Sequence, residues 1–182
     1  MVVGLLMPVQ PEESNLTDDA SMLKWGACVG GLYLGFHGGA TYRVVPAAEQ
    51  LVSDFIAAHS DHPVIVLRLA ECGWIDSTFA GWMLRLRRRL ADLTGARLVL
   101  SDCPPDCRAT LDTMGVVRLF EFGSIAEPGQ TWSMSVSGSD SDDVPMLDLM
   151  LRAHEELAGA TPDSRRVFEP IAEMLRRQKA AH

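Results

Sequence analysis

The sequence predicts an α/β domain built on a mostly parallel sheet. Short β-branched and leucine-rich runs recur along the chain, helical periodicities fill the gaps between them, and the intervals suit right-handed crossovers. The elements follow in order. "GGLYLGFHGG" alternates, with Leu32, Leu34 and Phe36 on one side and Tyr33 and Gly35 on the other, which reads as a strand. "VPAAEQLVSDFIAAHS" has Pro46 as a first-turn residue and Ala47, Leu51, Phe55 and Ala58 at helical spacing. "PVIVLRLA", 63–70, is a near-continuous apolar run of the kind buried on both faces of a sheet. Phe79, Trp82, Met83, Leu86, Leu90 and Leu93 then recur every three or four residues as one side of an amphipathic helix that Gly95 is placed to stop. "ARLVLS", 96–101, is a further strand. "PPDCRATLDTM" reads as a helix closed near Gly115, with Cys107, Leu111 and Met114 inward, and "RLFEF" as a last short strand.

These elements bound a domain over 22–127, preceded by an acidic arm over 1–21. Past Pro128 the texture changes: "PGQTWSMSVSGSDSDD" reads as a linker, placed at 128–144. A helical tail over 145–182 follows. Pro145 marks the start of its first helix, with Met146, Leu149, Met150, Ala153 and Leu157 on one face. The second begins near Thr161-Pro162 and carries Phe168, Ile171, Met174 and Leu175, with Pro170 expected to kink or divide it. The tail is expected to pack on the domain, with a role in self-association as a homodimer.

The 182 residues fit one domain with appended segments, and a hydrophobic fraction of 47% supplies a core. A formal charge of −8 disfavours a nucleic-acid partner and suits a basic protein partner. The opening "MVVGLLMPV" lacks the marks of a signal peptide, and no stretch approaches the roughly 20 apolar residues that span a bilayer. Four cysteines without framework spacing point to a cytoplasmic setting.

The stretch "AECGWIDSTFAGWML", 70–84, holds the candidate site: Asp76, Ser77 and Thr78 interrupt the apolar pattern where a strand hands over to a helix, at the sheet edge where α/β proteins present ligands and partners. Helix capping by Asp76 or Ser77 explains one such residue. A nucleophile elbow requires glycines two residues either side of the serine, and here Ile75 and Phe79 stand there, with no His–acid pair in evidence. A phosphoacceptor role for Asp76 would need a suitably placed lysine, and the lysines are Lys24 and Lys179. "CPPDC" lacks the spacing and the second pair of a zinc site, so Cys107 is expected to pack inside its helix. His154, beside Glu155 and Glu156, reads as solvated surface. Arg85, Arg87, Arg88 and Arg89 form a basic strip opposite the apolar stripe, a wet face or a grip for an acidic partner.

"VIVLRLAECGWIDSTFAGWML" followed by "GARLVLSDCPPDCRATLDTMGVVRLFEF" resembles the STAS domain of bacterial anti-sigma factor antagonists, over roughly residues 25–127 and most strongly over 64–122. The resemblance implies a mixed, mostly parallel sheet with helices mainly on one face, a non-enzymatic role and no cofactor of its own. It implies that Ser77 is phosphorylated by a cognate anti-sigma factor kinase, which brings the ATP and any metal, and that a phosphatase reverses this. Thr78 is the second hydroxyl, and the partner surface comprises Asp76, Ser77, Thr78, Phe79, Gly81 and Arg85. Phe79 and Ala80 depart from the family pattern, which has Gly and usually Leu there, and a bulky Phe79 beside the acceptor is expected to narrow kinase access. A different implied role is a non-signalling STAS subunit, for instance beside a membrane transport ATPase, docked permanently through the same helix edge. The switch requires Ser77 to be open to solvent.

Overall fold

The structure is a computed structural model that describes residues 21–28, 31–59, 62–124, 133–137 and 146–181. The expected arm over 1–21 lies outside these except for Ser21. In chain order the elements are β1 (Ser21–Cys28), β2 (Gly31–Ala40), α1 (Val45–Ala58), β3 (Val64–Ile75), α2 (Ser77–Ala91), β4 (Arg97–Ser101), α3 (Pro105–Thr113), β5 (Glu121–Gly123), β6 (Ser133–Ser137), α4 (Met146–Ala160) and α5 (Pro162–Ala180). A single 3-10 turn, Val117–Leu119, precedes β5.

The six strands form one mixed sheet in the order β5-β4-β3-β2-β1-β6. β2, β3, β4 and β5 run parallel, while β1 pairs antiparallel with both β2 and β6. Alternate residues of β3 point to opposite faces. Ile65, Leu67 and Leu69 join one apolar cluster with Phe55 of α1, Phe79, Met83 and Leu86 of α2 and Leu111 of α3, which places these helices on one face. Val66 and Val99, facing the other way, are also buried. On that second face, however, Val64 and Arg68 are only partly buried and Ala70 is exposed, so the run expected to be buried on both faces is fully covered only on the helix side.

Several elements depart from expectation. β3 continues past Ala70 to Ile75, because β2 is long enough to keep pairing it through two register shifts after β4 has ended. α1 has Pro46 in its first turn as expected, yet Val45, Ala48, Val52 and Phe55 face the core, Ala47 and Leu51 sit at its margin and Ala58 is exposed. Both rows are apolar, and the helix turns its branched valines inward. "RLFEF" divides into the 3-10 turn and the three-residue β5. Part of the expected linker is β6, an edge strand that protects β1. Gly95 and Gly115, expected to end helices, sit at φ 69° and 73°, the left-handed region that favours glycine.

The tail folds back on the domain. Thr161 caps α5 in a reciprocal arrangement with Ser164, and the Thr161 hydroxyl donates to the Gly115 carbonyl oxygen at 3.1 Å, which ties the hairpin's elbow to the end of α3. Leu151, Leu157, Phe168, Ala172 and Leu175 are buried, whereas Met146 and Met174, expected inward, are exposed. α5 runs unbroken through Pro170. Pro145 lies outside the described residues.

Candidate functional site

The site forms where β3 ends. Asp76 has extended backbone and caps α2: its Oδ1 accepts from the Phe79 N–H at 2.7 Å, and its Oδ2 from the Tyr42 N–H at 2.8 Å. One carboxylate thereby fastens the start of α2 to the β2–α1 turn. Burial holds the Asp76 carboxyl above the usual carboxylate range, against the opposing pull of the Phe79, Tyr42 and Thr78 N–H groups and of His154.

Ser77, the first residue of α2, is partly buried, and its hydroxyl is engaged. The Oγ lies 3.1 Å from Nε2 of His154 on α4, and His154 Nδ1 lies 2.7 Å from the Met150 carbonyl oxygen. A carbonyl only accepts, so in the neutral imidazole Nδ1 carries the proton, and Nε2 accepts from the Ser77 O–H. His154 is 4% exposed, which overturns the expectation of a solvated surface histidine. Its ring also packs on Phe168 of α5, 5.8 Å between centroids.

This is the residue that the sequence reading missed. A histidine following Ser77 by 77 positions leaves no local spacing, and only the fold-back of α4 brings the two together. The pair is a hydrogen-bonded contact rather than a nucleophile elbow. The flanking Ile75 and Phe79 are buried, and the N–H of Thr78, the residue after Ser77 that an oxyanion hole at this turn would use, is directed at the Asp76 carboxylate.

Two residues assigned to the partner surface face inward instead. Phe79 is fully buried, with its ring edge-on to Phe36 at 4.8 Å and 5.3 Å from Trp82. A large apolar side chain at the third helical position has its lowest free energy under the helix, against the sheet, so Phe79 neither meets a partner nor crowds the approach to Ser77. Thr78 is 3% exposed, which removes it as a second acceptor on the surface.

Gly81 is buried for a different reason. A Cβ there would stand 2.3 Å from the backbone oxygen of Ala153 and 2.6 Å from its Cα, so the glycine lets the backbones of α2 and α4 cross in close contact. Arg85 pairs with Glu49 of α1 at 3.0 Å, and Arg89 pairs with the same carboxylate at 3.6 Å, while the Trp82 indole N–H donates to it at 2.6 Å. Arg88 pairs with Glu156 of α4 at 2.5 Å. Most of the basic strip therefore serves contacts within the chain, and Arg87 stays exposed. Asp76, Ser77, Gly81 and Arg85 are thus brought together on the α2 side that α1 and α4 border.

Cys107 is buried in α3 as expected, with its Sγ 3.8 Å from that of Cys72, and Cys103 is not part of that contact. Among the described residues no group of three or more His, Cys, Asp or Glu side chains is arranged to hold a metal ion, and no helix is long and apolar enough to cross a membrane.

Neither a protein-family model nor a curated protein matches this chain. Solved structures similar to it include two anti-sigma factor antagonists. The anti-sigma factor antagonist SpoIIAA in its unphosphorylated form shares 16% identity, covering 58% of this chain and 89% of that one, with a TM-score of 0.49. An anti-sigma factor antagonist from Mycobacterium paratuberculosis shares 19% identity, covering 61% of this chain and 91% of that one, with a TM-score of 0.46. The likeness is one of fold.

Proposed function

We propose that this chain is a partner-switching regulator of the anti-sigma factor antagonist type, cytoplasmic and not an enzyme. Unmodified, it binds an anti-sigma factor that is also a serine kinase. Phosphorylated at Ser77 it lets go, and a phosphatase restores it. The observation that carries this is the position of the Ser77 hydroxyl at the first turn of α2, directly after the capping Asp76. It is partly buried and held by His154 rather than open to solvent as expected, so a kinase reaches it only when α4 yields.

The physics of that position suits a switch. A phosphoryl group adds about −1.5 to −2 charges at neutral pH. The free N–H groups and dipole of a helix start tolerate an anion, so the domain stays folded. Beside Asp76, however, the new charge repels acidic groups and resists desolvation in an interface. The Ser77–His154 contact means that modification at Ser77 is felt by α4 as well.

One observation favours a second reading. α4 already lies against α2 at Gly81 and Ser77, as it would in a constitutive adaptor subunit of a larger complex, where Ser77 has only a structural task. Phosphotransfer and pull-down assays with the anti-sigma factor kinase of the same genome separate the two. For a switch, wild type is labelled and Ser77→Ala is not, and Ser77→Asp loses the kinase by at least about tenfold, the scale of one charge-assisted contact. Labelling of Ser77→Ala equal to wild type would sink the switch, and unchanged binding by Ser77→Asp would favour the adaptor.

A further inference from the structure

The face of α2 that begins at Ser77 has an occupant within the chain. α4 meets it at three named places: the Ser77 hydroxyl against His154, the backbone crossing at Gly81 and Ala153, and the Arg88–Glu156 ion pair. Consequently the first two turns of α2 are buried on nearly every side. Thr78, Phe79, Ala80, Gly81, Trp82, Met83 and Leu84 are all inside, a pattern no single sheet face produces.

The hairpin is also bound within itself, although Leu157, Ala158 and Phe168 join the apolar cluster of the domain and Thr161 is tied to Gly115. Phe168, Ala172 and Leu175 of α5 are buried, Ser164 Oγ donates to the Leu157 carbonyl oxygen at 2.6 Å, and Arg176–Glu155 and Lys179–Asp148 pair at 2.8 Å each. These contacts join α4 to α5 and do not involve α2. A unit bound internally in this way can leave a surface without coming apart.

We infer that the α4–α5 hairpin is a built-in competitor for the Ser77 face of α2, latched by His154 and seated by Gly81, which an external partner must displace. This rests on the proposed role of that face. The external partner it fits has the chemistry of α4: an amphipathic helix with a small residue at the crossing and a hydrogen-bond acceptor for the Ser77 hydroxyl. Affinity for that partner falls with the fraction of molecules in which the hairpin is seated, so releasing the hairpin raises it without any new contact.

Alkylation of a full-length Ser77→Cys chain by iodoacetamide, resolved by peptide mass spectrometry, tests this without a partner. The buried thiols of Cys72 and Cys107 report global unfolding in the same sample. Gly81→Ala is the releasing variant. Its new Cβ collides with backbone, which no rotamer change relieves, while alanine favours the α2 helix itself. The expected result is alkylation of the introduced thiol at least about tenfold faster than with glycine kept at position 81, with Cys72 and Cys107 unchanged, as for a local opening. An unchanged rate at the introduced thiol, or acceleration of all three thiols together, overturns the inference, because the hairpin would then be fixed or part of one cooperative core.

Glu156→Arg provides a second release from the opposite end by facing Arg88 with a like charge, and Arg88→Glu with Glu156→Arg restores the pair. Selective acceleration at the introduced thiol in the single variant and its reversal in the double one supports the competitor. Equal rates in both, or loss of protection at all three thiols, counts against it. A failed kinase assay leaves this result standing, and a fixed hairpin leaves the phosphotransfer result standing.

Discussion

Replacing Phe79 by alanine is expected to destabilise the domain by about 3–5 kcal/mol, the range for removing a buried aromatic side chain, rather than to act selectively on partner binding. The ring is fully buried between Phe36 of β2 and Trp82 one turn along α2, so its loss leaves a void under the start of the very helix that carries Ser77. Neighbouring Ala80 is too small to fill that space, and Phe36 and Trp82 are held by the sheet and by the Glu49 hydrogen bond. Chemical denaturation read by tryptophan fluorescence checks this. A variant as stable as wild type that has nonetheless lost its partner would return Phe79 to the surface and undo the packing described above.

The second large effect belongs to Asp76. Asp76→Ala strips the cap from α2 and leaves the Phe79 and Tyr42 N–H groups without their acceptor, at an expected cost of about 2–4 kcal/mol. Asp76→Asn keeps one acceptor oxygen but turns an NH2 toward the other donor, so it falls between alanine and wild type.

The pH dependence has a definite sign. Burial raises the folded-state pKa of Asp76 above its unfolded value, so folding favours the neutral carboxyl. The corresponding contribution is fully present below the ordinary value near 3.9, is lost as pH rises through the folded value, and is constant above it. Wild-type stability relative to Asp76→Asn should therefore fall as pH rises from about 4, then level off. Unfolding free energies of both chains across that interval provide the check. Parallel profiles would show that the N–H donors balance burial, and a wild type that gains on the variant with rising pH would show that they outweigh it.

Much of the architecture was legible residue by residue. The apolar runs of β2, β3 and β4, Pro46 and Pro162 in the first turns of their helices, and Gly95 and Gly115 past helix ends are local signals, because backbone geometry and strand or helix periodicity act over a few positions. The cap at Asp76 belongs to the same class, since the N–H it satisfies lies three residues away. The orientation of α1 was ambiguous because two adjacent rows of apolar residues competed for one core. β6 was read as linker although Ser133-Met134-Ser135-Val136-Ser137 alternates with strand period, because so short a pattern among Ser, Gly and Asp becomes a strand only when β1 offers it an edge.

What the chain determined by itself, then, was the order and type of most strands and helices, and that a capped hydroxyl stands at the head of α2. The fate of that hydroxyl was decided in three dimensions. α4 reaches Ser77 because Gly81 lacks a side chain and His154 is turned inward; the glycine stands in the local sequence, but what crosses it does not. Local free energies choose the elements. The cover each element receives from distant parts of the chain chooses which of its faces remain for anything else.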